Sequence, residues 1–367
     1  MQTHTKSESI IPVREVKDPK PPIDDHANFS DWLYRRFIRQ DTDLDFVKRL
    51  SLILKRDGEN HLLPEARAVG RENRGIAIIG PSGAGKSSLL LNVLTRYLGE
   101  DIGKDGIGQK SLYYRFHGDA TIKSGALSIC GACGFPDGRK TITRHEAQNL
   151  MVHRLGLSGF SVLCIDEIHN LLRKKAEPSD LFLKGLVQDT HGLAVIIVGT
   201  GELKDFLDDP KNIEVSRRYI RVYLDPSEGG EVAPVIQTAL EQYCGAAELS
   251  IADDISSDQH FALRLFNAAG GMFGSCMFLI ATTVLRAREG GASAVTRQHF
   301  SDVQDMLQTD PALANPFLIE DYSPMAELRQ DAAGPDLLFA DMVNDVVMDA
   351  APAKKGRGRP SKKQAAK

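Results

Sequence analysis

Ile76-Ala-Ile-Ile-Gly80-Pro-Ser-Gly-Ala-Gly-Lys-Ser87 is the stretch that decides the fold. Four apolar residues run into G-x-x-x-x-G-K-[ST] with every fixed position filled. Leu89, Leu90, Leu91, Val93 and Leu94 then continue at helical spacing. A buried strand, a glycine-rich turn and a helix in that order make a phosphate cradle. Glycines let the backbone wrap an anion and aim its N–H groups inward, and the helix N-terminus adds partial positive charge. The loop is expected to be Gly80, Pro81, Ser82, Gly83, Ala84, Gly85, Lys86, Ser87 and Ser88. Lys86 then reaches the β- and γ-phosphates and Ser87 ligates Mg²⁺, so the expected ligands are ATP and Mg²⁺.

Further along the chain, Val162-Leu-Cys-Ile-Asp-Glu167 is an apolar strand that ends in two acids. Behind a phosphate loop, Asp166 is expected to hold Mg²⁺ and Glu167 to orient and deprotonate the attacking water. A third apolar run, Leu193–Val198, ends in Gly199-Thr200-Gly201. If this strand lies between the other two, the Thr200 hydroxyl faces the γ-phosphate and positions the water; otherwise it belongs to an ordinary turn. Arg217 and Arg218 precede the last strand, either as a surface basic pair or as an arginine that reaches a neighbour's γ-phosphate.

The strand-like runs are Ile76–Ile79, Leu112–Tyr114, Ser161–Ile165, Leu193–Val198 and Ile220–Leu224, with helical segments between most of them. Strands alternating with helices predict a parallel sheet covered on both faces. Upstream, Ser30 reads as the cap of a helix carrying Trp32, Leu33, Phe37 and Ile38. A second helix is expected after Asp43, and Gly58 and Pro64 punctuate the segment beyond it. From Val232 to about Leu307 the pattern is helical only, with Thr296 as the cap of the last helix. The expected fold class is therefore α/β, a P-loop parallel sheet flanked by helices and followed by a small all-helical lid.

Composition sets the outer limits. The chain has 367 residues, 42% hydrophobic and 26% charged, enough for a large core. No run of about 18 apolar residues exists and the N-terminus lacks an apolar signal-like stretch, so a cytoplasmic location (bacterial cytosol or nucleoid) without membrane contact is expected. Five scattered cysteines do not describe a disulfide framework. Cys130 and Cys133 form a single CxxC, with His117 and His145 as the nearest candidates to complete a metal site; two ordinary helical thiols are the alternative. His169 comes after the acidic pair and reads either as a structural residue or as a relay of γ-phosphate state. The net charge of −4 hides an asymmetry: residues 319–351 carry eight Asp or Glu against one Arg, and residues 352–367 carry seven Lys or Arg and no acid. Within the acidic stretch, Leu337 to Met348 has one apolar helical face suited to a partner or to the chain's own lid. In the tail, Arg357-Gly358-Arg359-Pro360 resembles an AT-hook, in which Arg357 and Arg359 lie along a narrow A·T minor groove. An unspecific basic tail is the alternative.

Taken together, "RGIAIIGPSGAGKSSLL", "VLCIDEIHNLL", "AVIIVGTGEL", "SRRYIRVYLDP", "AAGGMFGSCMFLIATTVLRA" and Asn315-Pro-Phe317 resemble AAA+ ATPases, and more closely the TniB/TnsC transposition regulators, over residues 28 to 318. That resemblance implies an AAA+ domain with a helical lid and an ATP-dependent homo-oligomer, ring or filament, on duplex DNA. It also implies a transposase as partner and a possible target-selection protein. Lys86, Ser87, Asp166 and Glu167 keep the roles argued above, Thr200 resembles sensor 1, and Arg217 or Arg218 resembles the finger acting in trans. By the same resemblance the segment His117 to Ser124 faces DNA, with Thr121 and Lys123 as contacts. One departure stands out: Gly271-Met-Phe-Gly274-Ser lacks the sensor arginine of many AAA+ lids, so the lid is expected to sense nucleotide weakly or through packing, and hydrolysis to be slow without a partner. The expected organisation is a disordered arm (1–27), an ATPase domain with N-terminal helices (28–230), a lid (231–318), an acidic linker (319–351) and a basic tail (352–367). The function expected is an AAA+ regulator of DNA transposition. A helicase loader, another ATPase switch, or a DNA-tethered ATP-binding scaffold are the alternatives.

Overall fold

Five apolar runs become one parallel sheet in a computed structural model. It describes residues 11–14, 20–67, 73–135, 141–174, 177–190, 192–224, 229–308, 314–320 and 322, without the side chains of 229–231. The strands are β1 (Gly75–Ile79), β2 (Ser111–Arg115), β3 (Val162–Asp166), β4 (Ala194–Gly199) and β5 (Tyr219–Tyr223), each within one residue of the run read from sequence. Their order is β2-β3-β4-β1-β5, with all neighbours parallel. Alternation along each strand divides the side chains between two cores. Ile76, Ile78, Cys164, Ile196 and Val198 enter one; Ala77, Ile79, Leu163, Ile165, Val195 and Ile197 enter the other. Burial on both faces is why β1, β3 and β4 are unbroken apolar runs.

Along the chain come α1 (His26–Tyr34), α2 (Asp41–Ile53), α3 (Lys86–Val93), α4 (Ile122–Ala132), α5 (Arg144–Ser158), α6 (His169–Leu172), α7 (Ser179–Gln188), α8 (Gly201–Asp208) and α9 (Ile213–Ser216). Phe46, Val47 and Leu50 of α2 and Leu89, Leu90 and Val93 of α3 cover one face of the sheet. Ile122 and Ile129 of α4, Met151 and Leu155 of α5, and Phe182 and Leu183 of α7 cover the other.

The beginning of the chain differs from the sequence reading. Asp25, not Ser30, caps α1, its carboxylate accepting from the Asn28 N–H at 3.1 Å. A full turn gained at the N-terminus ends the helix at Tyr34, and Phe37 and Ile38 fall in the linker beyond it. The second helix starts at Asp41, because Gln40 caps it and the Asp43 carboxylate accepts the Gln40 N–H at 2.8 Å from inside the first turn. An unforeseen antiparallel hairpin comes next, Leu54–Arg56 against Leu62–Ala66, with Asp57 accepting from the Glu59 and His61 N–H groups in its turn.

The helical part comprises α10 (Gly229–Ala246), α11 (Asp253–Ser256), α12 (Phe261–Ala268), α13 (Phe273–Glu289) and α14 (Arg297–Leu307). Thr296 caps α14 as expected, in a reciprocal box with His299. Phe29, Leu33 and Ile38 from the N-terminal segment pack into this same cluster beside Ile236, Tyr243 and Ile280. Phe317 closes it with its ring 5.8 Å from Phe261 and 5.5 Å from Phe300, held by Asn315, whose side-chain amide donates to the Ser301 carbonyl at 3.0 Å. No single described helix is long and apolar enough to cross a membrane. Residues 1–10, most of the acidic stretch with its amphipathic Leu337–Met348 piece, and the whole tail with Arg357 and Arg359 lie outside the described residues.

Candidate nucleotide site

The loop between β1 and α3 has the backbone that its glycines permit. Gly83 (φ 78°) and Gly85 (φ 88°) are left-handed, and Gly85 is the N-cap of α3. At Gly80 a Cβ would meet the Leu224 carbonyl oxygen at 2.7 Å. Lys86 is only 6% exposed, and its ammonium donates to the Pro81 carbonyl at 2.7 Å. Burial pushes its pKa down, against the pull of Asp166, Glu167 and Glu202. A buried cation at the mouth of a helix N-terminus fits a polyphosphate.

Asp166 is 1% exposed at the end of β3. One of its oxygens accepts both the Ser87 hydroxyl and the Tyr113 phenol, each at 2.5 Å, and the other accepts the Glu167 N–H at 2.8 Å. Register explains the convergence. Tyr113 pairs with Cys164 and Arg115 with Asp166, so Tyr113 and Asp166 project on one face of the sheet, the face covered by α3. Burial, then the Asp166 charge, pushes the Tyr113 phenol well up, so it stays a donor. A hydroxyl and a carboxylate in contact are the oxygen donors a hard cation takes, so Ser87 and Asp166 fit Mg²⁺. Sequence reasoning misses Tyr113 because it reads as an ordinary core strand residue.

Glu167 lines the cleft with φ 56°, a left-handed conformation unusual for a non-glycine. The Ile168 N–H bond to the Val198 carbonyl (3.0 Å) holds the turn. Burial, then Asp166, raises its carboxyl above the usual range, while Arg115, Lys86 and Arg173 oppose. His169 Nε2 lies 3.1 Å from the Glu167 carboxylate. Burial, then the Arg173 charge, pushes His169 down to about 4, so it is neutral at physiological pH; its Nδ1 has no hydrogen-bond partner among the described residues.

β4 does lie between β1 and β3. The Gly80 N–H bonds to the Gly199 carbonyl at 3.3 Å, which puts Thr200 beside the start of the phosphate loop. The Thr200 hydroxyl donates to Glu202, whose other oxygen accepts Nε (3.0 Å) and Nη2 (2.6 Å) of Arg173. Burial works against ionisation of Glu202, yet the bonds from Thr200 and Arg173 hold its carboxyl at about 2. The two arginines differ: Arg218 donates to the Glu214 carbonyl of α9, while Arg217 is exposed at the end of that helix.

A cleft of about 1080 Å³, its open mouth included, runs from Ser82–Leu89 to an apolar end formed by Tyr34, Phe37, Ile38, Leu224, Met277 and Phe278. Arg36 and Gln40 of the linker between α1 and α2, and Asp43 in the first turn of α2, line it as well, none of them legible as site residues because they stand some forty positions before the loop. The lid meets the loop through backbone. The Ser275 N–H donates to the Gly83 carbonyl at 3.1 Å, and a Cβ on Gly274 would lie 2.5 Å from that same oxygen. At Gly271-Met-Phe-Gly274-Ser, which has no arginine, the contact with the loop is made by backbone packing.

Away from the cleft, Thr121 caps α4 by accepting the Ser124 N–H, and Lys123 lies in the first turn. Cys130 is buried in α4 and Cys133 caps its end; among the described residues no group of three or more His, Cys, Asp or Glu could hold a metal.

Comparison with known proteins agrees with this geometry. Residues 70–207 match the family described as "AAA domain", a span that includes the phosphate loop, the acidic strand end and Thr200. The Aeropyrum pernix Orc1 protein in complex with DNA superposes with a TM-score of 0.53 at 16% identity, over 75% of this chain and 69% of that one. Cdc6p from Pyrobaculum aerophilum gives 0.48 at 14% identity, covering 76% and 71%. The Thermotoga maritima RuvB Holliday junction branch migration motor gives 0.43 at 18%, covering 76% and 74%. No curated protein matches the chain. The fold is that of an AAA+ P-loop ATPase, a parallel five-stranded sheet flanked by helices with a helical C-terminal part.

Proposed function

We propose that this chain is an ATP-hydrolysing switch that assembles on duplex DNA and regulates transposition. The observation that carries the ATPase reading is that Lys86, Ser87 and Glu167 line one cleft with an apolar end, with Asp166 bonded to Ser87 behind it and Thr200 directly after Gly199, whose carbonyl accepts the Gly80 N–H. The apolar end suits a purine and ribose, and the loop suits phosphates. Ser87 and Asp166 hold Mg²⁺, which supplies charge neutralisation at the phosphates. Glu167 takes the water's proton, and its raised pKa makes it a better base than an ordinary carboxylate. Thr200 orients that water. Arg217, exposed and outside its own cleft, is the better placed of the two arginines to serve a neighbouring subunit.

The DNA and transposition part of the reading rests on the TniB/TnsC resemblance of the motifs, with fold analogy to an Orc1 protein in complex with DNA behind it. Two hydrogen bonds would couple a DNA contact in that segment to the hydrolysis site. Asn170 of α6 donates to the Phe116 carbonyl at 3.0 Å, and Lys174 donates to the Ala120 carbonyl at 2.7 Å. The segment leading to Thr121 and Lys123 is therefore tied to α6 and the residues just after it, beside Glu167, so a duplex held by that segment would act on the proposed base. The test is binding of the full chain to labelled duplex DNA with no nucleotide, ADP, ATP and a non-hydrolysable ATP analogue at fixed salt. Cooperative binding that needs ATP or the analogue and is lost in ADP is expected. Binding indifferent to nucleotide refutes the switch and leaves a loader or scaffold acting through another protein. Deleting 352–367 should weaken binding and flatten its salt dependence.

A further inference from the structure

We propose that Glu202 is a positioning residue for hydrolysis: its carboxylate claims the single proton of the Thr200 hydroxyl, so that Thr200 meets the attacking water only as an acceptor. The inference rests on the reading of Thr200 as the residue that orients water. Thr200 is the N-cap of α8, and a capping threonine ordinarily turns its oxygen to a backbone N–H two or three residues on. Thr200 makes no such bond; its hydroxyl is turned to Glu202 instead. The cap is thus given up for a side-chain contact beside the phosphate loop.

An ionised carboxylate only accepts, so the proton of this pair belongs to Thr200 and points at Glu202. What remains on the Thr200 oxygen is lone-pair density. A water between Glu167 and Thr200 then donates one hydrogen to each, and its own lone pair is left facing phosphorus. As the water oxygen bonds to the γ-phosphorus, the bond to the bridging oxygen breaks and ADP leaves with the electron pair. One water proton passes to Glu167 and the other stays on the phosphate. A hydroxyl free to rotate would instead spend its proton on the water's lone pair and blunt the nucleophile.

Arg173 makes the arrangement definite. Both of its donors go to one oxygen of Glu202, and the other oxygen is left to Thr200. The low pKa of Glu202 agrees with a permanently charged acceptor. Its side chain is 41% exposed, so substitution there should leave the fold intact.

The experiment measures steady-state ATPase rates and binding of a fluorescent ATP analogue for the full chain and for Thr200→Val, Glu202→Ala, Glu202→Gln and the double variant Thr200→Val/Glu202→Ala. Glu202→Ala should lower kcat by about 10- to 100-fold, the range for loss of one preorganised group, with nucleotide affinity within about twofold of wild type. Glu202→Gln should be as slow, because an amide whose oxygen serves Arg173 turns its NH₂ to Thr200 and reverses the hydroxyl. The double variant should be no slower than Thr200→Val alone, because Glu202 acts through Thr200. Wild-type kcat in Glu202→Ala, full rescue by Glu202→Gln, or multiplied losses in the double variant would each overturn the proposal. A full rate in Thr200→Val would sink the sensor reading beneath it, and no turnover in the wild type would sink the ATPase itself, so the failures are distinguishable.

Discussion

Replacing Gly274 by alanine tests whether the lid reads the phosphate loop by packing. The added Cβ would sit 2.5 Å from the Gly83 carbonyl oxygen, 2.9 Å from the Gly85 nitrogen and 3.1 Å from the Gly85 Cα. All three atoms are backbone of the cradle, so no side chain can swing aside, and the loop and α13 must separate. Gly274 lies in the first turn of α13, where alanine alone would favour the helix by about 1 kcal/mol. Overpacking costs about 1–3 kcal/mol, and separation also loses the Ser275 N–H bond to Gly83, worth about 1 kcal/mol. The net penalty of about 1–3 kcal/mol should appear as a ~5- to 150-fold loss of nucleotide affinity. Titration with a fluorescent ATP analogue measures it, with thermal melts alongside. Gly131→Ala is the control: Gly131 is in α4, and a Cβ there meets nothing within 4 Å. Wild-type affinity and an unchanged melt in Gly274→Ala would refute the idea that lid and loop are in contact when nucleotide binds.

Lys86→Ala should abolish nucleotide binding by the same titration, and retained tight binding would move the phosphates away from this loop. Glu167→Gln should bind ATP normally and lower turnover by about 100-fold or more while trapping the assembled form; normal turnover would assign the base to another residue. Asp43 gives a pH prediction. Burial lifts its carboxyl from 3.8 to about 6, against the opposing Gln40 N–H. The folded form binds this proton more tightly than the unfolded form. The stability tied to it is therefore full below pH ~4 and lost as pH rises to ~6, a cost of about 3 kcal/mol above that. Asp43→Asn should raise the melting midpoint at pH ~8 and lose the advantage by pH ~4; an equal gain at both pH values would show that the charge is not what matters.

How far these features can be read from sequence depends on where their physical cause lies. β1, β3 and β4 are legible to within one residue because each is buried along its whole length and carries no charged residue until it ends; β2 and β5 are partly exposed, and β5 keeps its register around Arg221. The same logic marks Asp166, the first acid after a run of apolar residues. The helix starts are less legible: Asp25 and Ser30 are both good caps, and only the three-dimensional placement of Leu33 and Ile38 in the helical cluster decides between them. Tyr113 stands 53 residues before Asp166 and looks like any aromatic in a strand; its bond to Asp166 comes from strand register, which no local pattern reports. Glu202 is two residues from a legible motif, yet it passes for the ordinary acid of a helix's first turn. Arg36, Gln40 and Asp43 reach the cleft only because α1 packs on the lid while α2 packs on the sheet, which draws the linker between them and the first turn of α2 along the cleft. Motif spacing therefore finds the candidate phosphate-site groups. The groups that orient them, or that select what lies beyond the phosphates, come from contacts between elements far apart in the chain, and those are set by the packing of the whole molecule.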